Sequence, residues 1–559
     1  MIKCPGCGSS LVFDPKSQLL RCPHCGRTEN VENYTDSYPH YVEAEQSAYD
    51  PNLTNQVKTY DALVYKCPNC GAELIATDET ASTFCSFCGD SVVLTPRLSR
   101  QKYPAYIIPF QKTREECEEA YKKKLRGAFF APSRMKKETE IQKFRGIYMP
   151  YWTYDFETSR PLSLEGKESH RVGNYIHTDH YRLEKPVDAR YEGASFDAAS
   201  TFNDTLSEAI APFDVGSAKE FTPAYLSGFY ADVGDVDQNL YRKDAEHLAE
   251  NYFRNQVMQD PVFRKYEISE TTLRNQLAPN PCPEKMGLFP VWFLAARNRS
   301  NKRVSYAVVN GQTGKVAADL PVDFLKYILV SVAMAVPIFF FLNFFLTLTP
   351  VKALLVAAFL CVVALILANL QINRTYTREH NLDDRGLQSV RKKEEAEERE
   401  APAEQTVKSS KKKQKSGKNA ASTLATLIII ALGVVLLLKA PWIFDSGILL
   451  TFLAVGVFFV ISLIFAAIRK VGNRGTNSRR KSAVSKAPMK EKMLVLIKPL
   501  LGIFIAGIVY LVSPAEDIYF YGAAALIMAL IVWSFFDILR QHNKQTMRPL
   551  PQFDKRGGK

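Results

Sequence analysis

The chain contains no GxxxxGK[ST] phosphate loop, no GxSxG nucleophile elbow and no HExxH motif. None of its Gly-Lys pairs (Gly166-Lys167, Gly314-Lys315, Gly417-Lys418, Gly558-Lys559) is followed by Ser or Thr. An ATP-driven helicase or transporter therefore has no phosphate cradle. The opening residues, Met1-Ile2-Lys3-Cys4, lack the apolar run of a secretory signal, which argues against an oxidising compartment and a disulfide framework. Histidine is scarce, with eight residues, and clusters only at His170 and His177-Thr-Asp179-His180. On a strand His177 and His180 point to opposite faces, so they share a metal only in a turn; exposed polar strand positions are the simpler reading. The long apolar runs of the second half are almost free of ionisable groups, with Asn343 inside the first and Lys498 and Asp537 at ends. Ion-coupled pumps place acids or bases near the middle of the membrane, so this scarcity argues against coupled transport.

Cysteine is not abundant either, but eight of the eleven fall into two copies of one pattern. Cys4-Pro-Gly-Cys7-Gly is followed, after fourteen residues, by Cys22-Pro-His-Cys25-Gly. Cys67-Pro-Asn-Cys70-Gly is followed, again after fourteen, by Cys85-Ser-Phe-Cys88-Gly, and the second copy lies 63 positions after the first. Each pair is a knuckle whose trailing glycine lets the backbone turn tightly around a metal. A lone CxxC suits redox chemistry, but four at matched spacing supply two sets of four thiolates, which suit tetrahedral Zn²⁺ and leave no open coordination position. Two structural Zn²⁺ sites are expected: Cys4, Cys7, Cys22 and Cys25, then Cys67, Cys70, Cys85 and Cys88. The other three, Cys117, Cys282 and Cys361, read as ordinary thiols.

From about Phe324 onward lie six apolar segments, near Tyr327–Leu346, Ala353–Leu370, Leu424–Leu438, Ile448–Ile468, Pro499–Val512 and Ile518–Phe536. Six of them, with basic flanks, fit transmembrane helices better than a buried soluble core. They pair into three hairpins, 324–371, 423–468 and 493–537, joined by a charged linker at 372–422 and a basic linker at 469–492. The linkers and the tail carry 28 Lys and Arg in 372–422, 469–492 and 540–559, against two, Lys352 and Lys439, in the short turns. By the positive-inside rule the linkers, both termini and the first 320 residues are cytoplasmic, on a multi-pass protein of the bacterial cytoplasmic membrane. The net charge of +13 is misleading beside zinc ribbons. Residues 321–559 carry +16 and residues 1–320 carry −3. The basic excess therefore sits beside the membrane, where it serves topology and contact with anionic lipid, clearest at Lys408–Lys418.

The polar half reads as two ribbons at 1–30 and 64–95, a spacer at 31–63 and an α+β domain at 103–320, the whole being multidomain; 538–559 is a basic tail. Thr113-Arg-Glu-Glu116 has the capping-box arrangement, predicting a helix to about Arg126 that stops at Gly127. Further helices are predicted at Ser133–Phe144 and Gln238–Gln259, and strands at Ile147–Phe156, Tyr175–Leu183, Leu288–Ala296 and Val304–Asn310. Gly146-Ile-Tyr-Met-Pro150-Tyr-Trp152 echoes Gly287-Leu-Phe-Pro290-Val-Trp292; a duplicated strand and coincidence both account for it.

The order of motifs is specific: paired CPxCG ribbons, Ile108-Pro109-Phe110, Phe129-Phe130-Ala131-Pro132, Gly146–Trp152, Phe221-Thr-Pro-Ala-Tyr225-Leu-Ser-Gly228-Phe229, Phe289-Pro-Val-Trp292 and Val309–Val316. Over residues 1–320 the chain resembles the bacterial membrane-anchored TFIIB-type zinc-ribbon-containing proteins of Firmicutes, some of them labelled primosomal helicase-like. The resemblance implies a scaffold that recruits envelope-stress proteins of the phage-shock type; the missing phosphate loop keeps the helicase label from carrying over as an activity. The expectation is a non-enzymatic membrane-anchored scaffold or adaptor with a protein partner. The alternatives are a membrane-tethered nucleic-acid-binding protein, disfavoured by the −3 charge of residues 1–320, and a transporter or channel component.

Overall fold

The computed structural model describes residues 2–37, 40–43, 56–76, 85–90, 95–298, 303–345, 349–400, 487–551 and 553. The first ribbon forms a three-stranded sheet of β1 (Val12–Asp14), β2 (Leu19–Arg21) and β3 (Thr28–Glu29). Then come β4 (His40–Glu43), β5 (Gln56–Lys66), β6 (Glu73–Ala76), β7 (Thr95–Lys102), β8 (Tyr106–Ile107), α1 (Arg114–Gly127) and α2 (Glu138–Ile141). The long strands β9 (Arg145–Val172) and β10 (Tyr175–Asp197) precede α3 (Asp204–Ile210), β11 (Lys219–Glu220), β12 (Tyr230–Asp232), α4 (Arg242–Gln259) and α5 (Pro261–Arg264). The soluble part closes with β13 (Glu267–Ile268), α6 (Glu270–Leu277), β14 (Asn280–Pro281), β15 (Lys285–Asn298), β16 (Arg303–Asn310) and β17 (Val316–Ala318). Last come α7 (Phe324–Phe345), α8 (Pro350–Glu379), α9 (Arg385–Glu400), α10 (Met489–Val512), α11 (Asp517–Thr546) and β18 (Arg548–Pro549).

The two echoing motifs are the middle of the fifteen-stranded sheet, and they pair with each other. β9 and β15 run antiparallel with Met149 opposite Phe289, Gly146 opposite Trp292 and Gly287 opposite Tyr151. Each also carries a short parallel strand: β8 along Gly287–Leu288 and β12 along Ile147–Tyr148. An aromatic ring from each short strand or its threshold covers a glycine, although Gly146 and Gly287 fall one residue out of step and face opposite sides of the sheet. A Cβ at Gly146 would lie 2.5 Å from the Phe229 ring, and one at Gly287 would lie 2.4 Å from Tyr106. The prolines match, since the Pro150 carbonyl accepts from Ala198 N–H and the Pro290 carbonyl from Gly311 N–H, both at 2.8 Å. The echo is therefore an approximate internal two-fold, which favours duplication over coincidence.

Alternate residues of these strands face opposite sides of the sheet. Tyr148, Leu288, Trp292 and Leu294 share a buried cluster with Ile2, Cys4, Leu11, Phe13, Leu20 and Cys22 of the first ribbon. Ile147, Met149, Tyr151, Phe289, Val291 and Phe293 share another with Tyr65, Cys67, Cys70, Cys85, Phe87 and Cys88 of the second. The two ribbons thus sit on opposite faces of one strand pair. The second joins the main sheet outright, since β6 pairs with β12. Its β5 begins at Gln56, inside the stretch expected as spacer.

The Thr113 cap forms as expected, with Glu116 N–H donating to Thr113 Oγ1 and the Thr113 amide to the Glu116 carboxylate. The helix expected at Ser133–Phe144 splits into a 3₁₀ turn, Ser133–Lys136, and α2, because Lys137 is extended; Met135 and Ile141 both reach the core. β9 and β10 are far longer than expected. Leu162, Leu164 and Leu183 extend them by packing against Phe253, Leu273 and Leu277 of α4 and α6, and beyond Gly166 the ribbon continues to a tight turn at Gly173 (φ +63°).

Among the described residues three helices are long and apolar enough to cross a membrane, within α8, α10 and α11, rather than the six expected. The first expected segment is helical in α7, and Leu424–Leu438 and Ile448–Ile468 lie outside the described residues. α8, α10 and α11 pack as a bundle through small groups: Ala357, Cys361, Ala523 and Ala524 are buried together, and a Cβ at Gly502 would lie 2.5 Å from Cys361 Sγ. Lys498 and Asp537, expected at helix ends, form an ion pair between α10 and α11, with the amine 4.2 Å from the Trp533 ring.

The soluble domain is tied to the polar ends of these helices. The Asn543 side chain bonds both the N–H and the C=O of Val322, Arg303 pairs with Glu379, and Arg378 with Asp319. Arg548, nearly buried, donates to Asn203 and Thr205. Asp384 accepts from Asn203, and Asp204 from Tyr241 Oη and the Arg385 amide. Asp197 is buried beside this network, and burial first, then the carboxylates of Asp204 and Asp384, push it well above the ordinary range.

Two predictions follow from this packing. Gly228 has φ +85°, and a Cβ there would lie 2.4 Å from Val12 of the first ribbon. Gly228→Ala should cost about 2 kcal/mol, read as a lowered thermal midpoint; an unchanged midpoint contradicts the contact. An acid whose pKa rises on folding holds a proton that the unfolded chain releases, so its presence weakens the fold as pH climbs past the ordinary carboxylate range. Asp197→Asn should therefore raise the midpoint at about pH 7, with the gain shrinking towards about pH 4; a gain equal at both contradicts this reading.

Candidate metal centres

Each of the four knuckles is built the same way. The glycine four residues after the leading cysteine donates its N–H to that cysteine's carbonyl: Gly8 to Cys4, Gly26 to Cys22, Gly71 to Cys67 and Gly89 to Cys85, at 2.8–3.0 Å. All four glycines have positive φ, between 66° and 76°, a region that a side chain disfavours. Their place in the sequence pattern thus follows from backbone geometry.

This geometry brings together all eight predicted cysteines in two groups, each with its four sulfurs within 4.8 Å of one another. In the first, Cys4 and Cys25 Sγ are 3.6 Å apart and Cys7 and Cys22 Sγ 3.5 Å. In the second, Cys67 and Cys88 are 3.9 Å apart and Cys70 and Cys85 3.7 Å. Tetrahedral thiolate coordination at about 2.3 Å places sulfurs about 3.8 Å apart, so both sets fit a four-coordinate metal ion. Four thiolates so close cannot all ionise unaided. Contact with Cys70 first, then with the other thiols, holds Cys67 down; contact with Cys67 raises Cys70 and Cys85. In the first group the Cys25 amide leads in holding Cys22 at about 6. A divalent cation resolves that conflict by holding all four deprotonated.

The two centres differ in exposure. In the first, Cys4 and Cys22 are buried while Cys7 and Cys25 face solvent; in the second all four are buried. The second centre is wrapped by the domain: Phe87 packs on Phe293 at 5.5 Å, Tyr306 Oη donates to the Phe87 carbonyl, and Arg297 pairs with Asp90 at 2.7 Å. The C-terminal segment completes the wrap, with the Phe553 amide donating to the Cys70 carbonyl at 2.6 Å and its ring 5.9 Å from Phe87. Sequence reasoning missed Phe553, because a lone aromatic in a basic tail carries no periodicity or motif.

No third group of His, Cys, Asp or Glu with this geometry occurs among the described residues. His170 and His177 are cross-strand neighbours with rings stacked at 5.7 Å, whereas His180 bonds to Glu165. Cys117 and Cys361 are buried and Cys282 partly so, each apart from the two centres.

The chain is 28% identical to uncharacterized protein YdjG of Bacillus subtilis (strain 168) over 326 residues, covering 57% of this chain and 90% of that protein. No protein-family model and no solved structure matches.

The difference in burial gives a graded prediction. Cys85→Ser should lower the thermal midpoint far more than Cys7→Ser, since it opens a core shared with β15 and β16. Equal losses would mean that the second centre is no more integral to the fold than the first.

Proposed function

We propose that the chain is a membrane-anchored, non-enzymatic scaffold or adaptor that displays zinc ribbons at the cytoplasmic face of a bacterial membrane for a protein partner. The observation that carries this reading is the closure of both four-cysteine centres within a domain bound to apolar helices. Closed thiolate sets suit structural zinc, which stabilises a surface and leaves no position for substrate. The reducing interior that zinc-bound thiolates require agrees with the concentration of Lys and Arg in the linkers and tail, which supports a cytoplasmic place for both termini. The same pattern supports six spans in three hairpins, with α7 and the two segments at 424–468 joining the three long helices. The order of motifs over residues 1–320 supports membership of the TFIIB-type zinc-ribbon membrane proteins, and with it an envelope-stress partner of the phage-shock type.

The first ribbon is the one placed to meet a partner. Its knuckle tips, Pro5-Gly6-Cys7 and Pro23-His24-Cys25, are exposed, whereas the second ribbon is wrapped by its own chain. Pull-down of the full chain from membranes after in-cell crosslinking should recover one soluble protein in stoichiometric amount. Pro23→Glu with His24→Glu should lose it while metal content stays unchanged. Recovery of no partner, or a partner indifferent to the substitutions, would overturn the scaffold reading or its assignment to the first ribbon, respectively.

A further inference from the structure

The soluble domain carries a basic and aromatic surface at the level where the helices leave the apolar layer. Residues 122–137 contain seven Lys and Arg and no Asp or Glu, in a half of the chain whose net charge is −3. Lys122 pairs with Glu138, and Arg134 with Glu140. Lys123, Lys124, Arg126, Lys136 and Lys137 are exposed, and no ion pair engages them among the described residues. Between the two basic groups the chain turns through Phe129, which is 63% exposed. An exposed phenylalanine framed by cations that no ion pair engages fits a surface that is apolar beneath and anionic above.

Contacts with α7 and α11 fix the depth of this turn. Phe324, the first residue of α7, stacks on Phe536 at 5.0 Å, and Phe536 ends the apolar stretch of α11. Asp537 follows and pairs with Lys498, beside Trp533, so charge and an amphipathic ring mark the boundary at this level. The turn is bound to the start of α7: the Asp323 amide donates to the Phe130 carbonyl at 2.7 Å, Lys326 Nζ to the Ala131 carbonyl at 3.0 Å, and the Phe130 ring lies 5.4 Å from Tyr327, one turn into the helix.

We infer that this surface is a lipid contact: Phe129 enters the boundary between headgroups and acyl chains, and Lys123, Lys124, Arg126, Lys136 and Lys137 bind anionic headgroups of the same leaflet. The partner is the bilayer around the protein's own helices, so the inference rests on the membrane reading above. It adds a second attachment to that of the helices, formed by the soluble domain itself and distinct from the linkers. Such a contact restricts tilting of the domain and makes its seating sensitive to the charge of the leaflet.

Site-specific photocrosslinking of the full chain tests this. Phe129→p-benzoylphenylalanine, irradiated in nanodiscs containing phosphatidylglycerol, should yield a phospholipid adduct by mass spectrometry. The same residue at Tyr175, 75% exposed at the tip of the β9–β10 ribbon, should yield none. Converting the five cations to Gln should lower the adduct yield at 129 at least about fivefold in anionic nanodiscs and little in phosphatidylcholine alone. An adduct at 129 to protein or nucleic acid, or equal yields at 129 and 175, overturns the inference. Absence of an adduct from a chain that resists alkaline extraction from membranes overturns it too and leaves the membrane reading standing. A chain that alkali strips from membranes overturns the membrane reading itself.

Discussion

The antiparallel pairing of β9 with β15 organises the molecule. With Met149 set opposite Phe289, the two-residue period of the strands sends one set of side chains to the first ribbon and the other to the second. A one-residue slip would exchange the two faces and bury the wrong set against each cysteine cluster. Gly146 and Gly287 hold the register by admitting rings that a Cβ would exclude. Both four-cysteine clusters, the short parallel strands and the hairpin leading into the apolar helices take their places from this one pair.

The two centres consequently have unlike surroundings although their sequences are nearly alike. The first rests on the domain through Phe13, which meets Tyr225 at 5.3 Å and Phe229 at 6.5 Å, and leaves two cysteines in solvent. The second lies in the core, capped by Phe553 from the far end of the chain. Phe553 follows Arg548, which in turn follows α11, so one short segment links a membrane helix to the buried network and to the second centre. Burial of Arg548 among Asn203, Thr205 and Asp319 makes that link specific, because withdrawing it would leave buried polar groups unpaired.

Much of the local chemistry was legible in the sequence. The knuckles were readable because tetrahedral thiolate coordination needs fixed spacing and glycine at positive φ, and both leave marks in order and composition. The cap at Thr113 was readable for the same reason: a hydroxyl and a carboxylate three residues apart satisfy each other's amides. The echo between Gly146–Trp152 and Gly287–Trp292 was visible, but its meaning required register, which depends on contacts 140 residues apart. The length of β9 and β10 was hidden because exposed charged residues such as Glu165 and Lys167 carry no apolar alternation. The pairing of Lys498 with Asp537, and the depth of Phe129, depend on how helices distant in sequence align.

The central claim is that both cysteine sets are closed metal centres that hold the ribbons against one domain. X-ray absorption at the zinc edge on the purified full chain tests it most directly. The account predicts two zinc ions per chain, each with four sulfur neighbours at about 2.3 Å and no nitrogen or oxygen ligand. Fewer than two zinc ions, or a shell containing light-atom ligands, would contradict it.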